Sequence, residues 1–170
     1  MTSIKEAFPI PTLYVNKYLW AQMCSIDTSL PTTYDNIVPF FPLADSRAGD
    51  AGWGSKPYVV YDVLFKMRGK AFYPVKKAQI MYFVRGSAED VIAWSNAISV
   101  ILDREDSAAK DINNHFSDLS TNTGVFFHRL RVLQIDMVND NRQDLTVRQQ
   151  YTGSMVVEME YHMTNQGSFN

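Results

Sequence analysis

The sequence predicts an α+β fold: a mainly antiparallel sheet of about four strands, packed against two or three helices, with a long irregular N-terminal arm. Three observations lead there. Residues 58–67 (YVVYDVLFKM) and 78–84 are dense in β-formers and joined by a turn region, as expected of an antiparallel hairpin. Residues 125–138 and a return run from 145 to 163 form a second strand pair around Asn139, Asp140 and Asn141. Between the pairs, residues 88–102 repeat apolar side chains at helical spacing.

Taken in order, Pro9 and Pro11 precede a short helix over 12–24 that Thr12 is placed to cap, with Val15, Tyr18, Leu19 and Met23 on one face. Trp20 falls off that face and is expected to be partly exposed. From 25 to 57 the chain has no sustained period and is punctuated by prolines and glycines. Irregular segments of this length inside a domain are uncommon and often functional. Ile37, Val38, Phe40, Phe41, Leu43 and Trp53 give the arm apolar anchors, so it docks on its own domain or on a neighbouring copy. Phe40, Phe41, Trp53 and Trp20 are therefore the candidate subunit or partner contacts.

The stretch VKKAQIMYFVRGSAEDVIAWSNAISVILDRED, residues 75–106, organises the rest. Ala78, Ile80, Tyr82 and Val84 form the more apolar face of a strand, Gly86 breaks it, and Ser87 with Asp90 makes a capping arrangement for a helix starting near Ala88. Val91, Trp94, Ile98, Ile101 and Leu102 give that helix a broad apolar stripe. A charged hinge (103–106) leads to a second helical run with Ala108, Ile112 and Phe116 on one side. Residues 125–138 are apolar at both parities, which predicts a bend or bulge. The last strand alternates cleanly, with Met155, Val157, Met159, Tyr161 and Met163 on its buried face, after an expected interruption at Thr152 and Gly153.

Composition restricts the function classes. A chain of 170 residues is expected to form one domain over 1–170 with a sizeable core. Cys24 is the single cysteine, so no intrachain disulfide or cysteine-rich zinc module is available. A formal charge of −2 argues against a dominant electrostatic grip on nucleic acid. The start shows no signal-peptide pattern and no apolar run reaches membrane-spanning length, so a soluble, non-exported protein is expected.

No catalytic signature emerges. GDAGWGS (49–55) is glycine-rich but lacks the lysine of a P-loop and the spacing of a dinucleotide fingerprint. His115, His128 and His162 fall on three elements without metal-ligand spacing. His128 and His162 become cross-strand neighbours if their strands pair, near Glu160. No GxSxG elbow is present, and the apolar surroundings of Cys24 suit an inert thiol. The expectation is no enzyme, no metal and no cofactor.

Three strings carry a family resemblance: YPVKKAQIMYFVRG (73–86) running into DVIAWSNAISVILDRED, then SAAKDIN, and finally MVVEMEYHMT. Together they resemble the tail terminator and tail completion proteins of tailed bacteriophages, including the proximal sheath-stabilising proteins of contractile tails. The arm over 25–57 is not covered. The resemblance implies a structural virion protein that closes into a hexameric ring at the head-proximal end of the tail tube and joins it to the neck. Its implied partners are further copies of itself, the tail tube and sheath proteins and a neck or connector protein. Double-stranded DNA only passes through the lumen, and no membrane or cofactor is involved; assembly takes place in the host cytoplasm. A head-to-tail ring buries two different surfaces of each copy. The competing expectations are another head–tail connector or adaptor, a tube or baseplate component, and, from a different class, a small cytosolic ligand-binding or enzymatic α+β domain.

Overall fold

A strand that buries one face needs a partner layer, and the apolar alternation of the 78–84 and 155–163 segments determines which face that is. The computed structural model describes residues 10–43, 56–66, 75–104, 106–116, 124–139 and 151–163. They form one five-stranded sheet of β1 (Phe40–Pro42), β2 (Tyr58–Lys66), β3 (Val75–Gly86), β4 (Val125–Asn139) and β5 (Tyr151–Met163). The spatial order is β1-β2-β3-β5-β4. Only the β1–β2 pair is parallel; the other neighbours are antiparallel.

At the centre, Ala78 faces Met159, Ile80 faces Val157 and Tyr82 faces Met155. All six are fully buried on one side of the sheet, together with Val84 and Tyr161. Four helices pack with this sheet: α1 (Pro11–Ile26), α2 (Leu30–Thr33), α3 (Ala88–Leu102) and α4 (Asp106–His115).

Helix α3 begins as expected. Ser87 Oγ accepts the Asp90 N–H at 3.2 Å and donates to the Asp90 carboxylate at 2.6 Å, which satisfies an otherwise unpaired helix-start donor. Its buried stripe is Val91, Trp94, Ser95, Ile98, Ile101 and Leu102. Under it, Gly153 permits a close approach, since a Cβ there would lie 2.8 Å from Ser95 Oγ and 2.9 Å from Val91 Cγ1. The interruption expected at Thr152 and Gly153 does not occur. Both residues pair with Arg85 and Val84, and β5 runs straight through, because the missing side chain makes room for the helix without breaking the ladder.

Three details of the N-terminal half differ from expectation. Helix α1 starts at Pro11, with Ile10 at the cap position and no side-chain cap; proline at the first helical position takes the place of a capping hydroxyl, and Thr12 is buried. Trp20 is only 7 % exposed. Its ring centroid lies 6.2 Å from that of Trp94 on α3 and 5.3 Å from that of Tyr34, so a neighbour covers the arc that a single helical face leaves open. On the other side of α1, Tyr14 and Tyr18 meet Phe116 and His115 next to and on α4 at 5.5 and 5.6 Å. The helix is thus flanked on two sides.

The third difference is the arm, which supplies a short helix, α2, and the fifth strand, β1. Asp35 and Asn36 take positive φ angles of 50° and 59°, which these two residue types tolerate best after glycine, and swing the chain from α2 towards the sheet. Val59 N–H donates to Pro39 O at 2.9 Å and Leu43 N–H to Tyr61 O at 2.8 Å, seating β1 beside β2. The far end of the arm returns to the same place: Tyr34 Oη donates to Pro57 O at 2.5 Å and Lys56 Nζ to Thr33 O at 2.7 Å. A strand of three residues has too few positions to show a period, which is why its sequence reads as irregular.

Candidate functional site

The helices pack on one side of the sheet, and the other side carries the alternate strand positions. Transverse rows cross this open side, set by the strand register, and the four middle ones are these. The first reads Phe41, Val60, Phe83, Ser154 and Asp136, and the second Asp62, Met81, Val156 and Gln134. The third is Leu64, Gln79, Glu158 and Arg131, and the last brings Lys77, Glu160 and Arg129 together. One corner is apolar, since Phe41, Tyr58 and Val60 form a small buried cluster with Phe83. The opposite corner interleaves charges, with Lys77 ion-paired to Glu160. That pair, first through its hydrogen bond and then through the Glu160 charge, raises the Lys77 pKa.

Apolar side chains are also exposed at both edges of the sheet. At the β1–β2 edge these are Leu43 and Leu64; at the β4 edge, Leu133 and Ile135. β1 covers only Val59, Val60 and Tyr61 of β2, so among the described residues the rest of that strand is an open edge. Helix α3 adds Ile92 and Val100, 45 % and 64 % exposed, on a helix with no charged residue from 91 to 102. That charge-free run is visible in the sequence and marks an outer helix face that lacks the usual solvating charges.

Three of the four expected contact residues, Phe40, Phe41 and Trp20, lie among the described residues. Phe40 packs in the main core with its ring 6.1 Å from that of Tyr82, Trp20 lies between α3 and Tyr34, and Phe41 belongs to the small cluster on the open side. All three are buried within their own chain. Trp53 lies outside the described residues.

Strand pairing does bring His128 and His162 together. His128 Nε2 lies 2.7 Å from His162 Nδ1, and the Phe126 ring lies against both imidazoles, with centroids 5.2 and 5.4 Å away. β4 is bulged here, as its mixed parity predicts: the register shifts between Phe127 and Arg129 and again between Val132 and Gln134. Among the described residues no group of three or more His, Cys, Asp or Glu side chains is arranged to hold a metal ion. Cys24 is half-buried, and burial, then Asp27, pushes its thiol pKa up, away from nucleophilic character. Tyr82 is also held protonated by burial, with its hydroxyl donating to Asn16 Oδ1 at 2.7 Å inside the core.

The fold is a mixed α+β sheet-and-helix layer. No family model matches the chain, and no curated protein matches it at a significant level. No helix among the described residues is long and apolar enough to cross a membrane.

Proposed function

We propose that this chain is a structural subunit of a phage tail terminator. Copies close into a ring at the head-proximal end of the tail tube, end its growth and present a surface to the neck. The observation that carries the reading is the exposure of apolar side chains at two opposite, unlike edges of one sheet: Leu43 and Leu64 on one, Leu133 and Ile135 on the other. A head-to-tail ring consumes two different surfaces per copy, whereas a two-fold dimer consumes one surface twice. The resemblance of 73–86, of the α3 segment and of the closing strand to terminator proteins supplies the biological setting. Mixed charges on the open side of the sheet suit a ring through which DNA moves without adhering, because each fixed phosphate contact adds salt-dependent affinity.

Light scattering and negative-stain microscopy of the purified chain test this reading, alone and with tail-tube protein. Rings are expected in at least one of the two preparations. Leu64→Asp and Leu133→Asp, one at each edge, should each abolish rings, while an equimolar mixture of the two should give heterodimers joined through their intact edges. A chain that stays monomeric both alone and with tube protein overturns the proposal, as does a mixture that behaves like either variant alone.

A further inference from the structure

The paired imidazoles of His128 and His162 play no part in the assembly reading, yet their geometry is specific. His162 stands near the end of β5, opposite Val75 of β3 and Phe126 of β4. His128 is the extra residue of the first β4 bulge, between Phe127, which faces Tyr161, and Arg129, which faces Glu160. The bulge is what allows a β4 side chain out of regular alternation to reach His162.

The ring centroids are 4.9 Å apart and the planes differ by 34°, so the 2.7 Å nitrogen contact runs nearly along the line between ring centres. That is the arrangement of one N–H donating to one bare nitrogen. A neutral imidazole carries one donor and one acceptor, and an imidazolium carries two donors and no acceptor. The contact therefore survives the first proton the pair takes up and is lost with the second, which also places two like charges side by side.

We propose that His128 and His162 form an acid-released clasp holding the bulged edge strand β4 to the end of β5. The charged groups in the two rows next to it among the described residues are Lys77 on β3, Glu158 and Glu160 on β5, and Arg129 and Arg131 on β4. Cations outnumber anions there, and Glu160 is engaged by Lys77, so the surroundings give the second proton no favoured place. Consistent with this, burial and then the neighbouring His128 lower the His162 pKa below 6.5. A group whose folded pKa is depressed contributes stability that is fully present above the unfolded value and is lost as pH falls through the folded one. The clasp is thus closed at neutral pH and opens in acid, as the pair takes up its second proton. It is a property of the single chain and stands whether or not the chain forms rings.

Imidazole NMR on the full chain across about pH 4 to 8 tests it. His128 and His162 are expected to titrate in two steps separated by at least about one pH unit, a tenfold difference in proton affinity. Amide exchange at 125–130 should rise across the lower step. His128→Gln and His162→Gln should each abolish the two-step behaviour. Each should also flatten the fall in the folding equilibrium constant between pH 7 and 5, which in the unsubstituted chain is expected to be about tenfold larger than in either variant. Two rings that titrate independently at one midpoint overturn the proposal, and so does a variant that keeps the unsubstituted pH profile.

Discussion

The two sides of this sheet are built from the same strands under different constraints. On the covered side, Ala78, Ile80, Tyr82 and Val84 lie beside Met155, Val157, Met159 and Tyr161 under α1 and α3, every one of them buried. On the open side the intervening positions pass from the Phe41, Val60 and Phe83 corner to the charged Lys77, Glu158, Glu160 and Arg129 corner, and most are half-buried. The difference teaches where stability and recognition reside. The covered side is close-packed and tolerates little change in volume, whereas the two edges keep apolar side chains that folding leaves exposed.

The contrast is sharpest for a core truncation. Ile80→Ala should cost roughly 2–5 kcal/mol in chemical denaturation, because the cavity lies under helices that cannot collapse onto it. A loss below about 1 kcal/mol would mean that the covered side is looser than its burial indicates. Gly153→Val tests the same side by overpacking: with Ser95 and Val91 already within 3 Å of an added Cβ, α3 must lift, at a cost of about 1–3 kcal/mol. An unchanged denaturation midpoint would show that α3 shifts freely across β5.

Smaller effects are expected away from the core. Ser87→Ala removes the acceptor at the start of α3 and should cost about 1 kcal/mol, while Ser87→Asp, which keeps an acceptor, should cost less. At the exposed edge, Leu64→Ser should change folding by no more than about 0.5 kcal/mol and yet weaken assembly measured by light scattering. Equal losses in folding and assembly would erase the division between the two regions. Retarded migration of a DNA duplex with assembled protein at moderate salt would count against a ring that DNA passes without sticking.

Much of the fold was legible because it rests on near-neighbour chemistry. The strand over 78–84, the Ser87 and Asp90 cap and the stripe of α3 are fixed by residues a few positions apart, and the structure has them, with the strand extended to 75–86 and Gly86 as its last paired residue. The mixed parity of 125–138 likewise became two register shifts in β4. The candidate contacts were less legible. Phe40, Phe41 and Trp20 are large apolar residues outside any clear period, a pattern that an exposed anchor and a core residue share, and burial separates the two only once distant elements are in place.

By itself, then, the sequence determined the local conformations and which side of each long strand is apolar, because alternation, helical spacing and capping act within a few residues of chain. Only the tertiary structure decided that three arm residues pair with β2 as a parallel edge strand, that α1 is flanked by α3 and α4 so that Trp20 is enclosed, and that His128 meets His162. Each of these depends on a contact between segments far apart in the chain, whose closure is governed by the packing of the whole sheet and leaves no periodic trace in either segment alone.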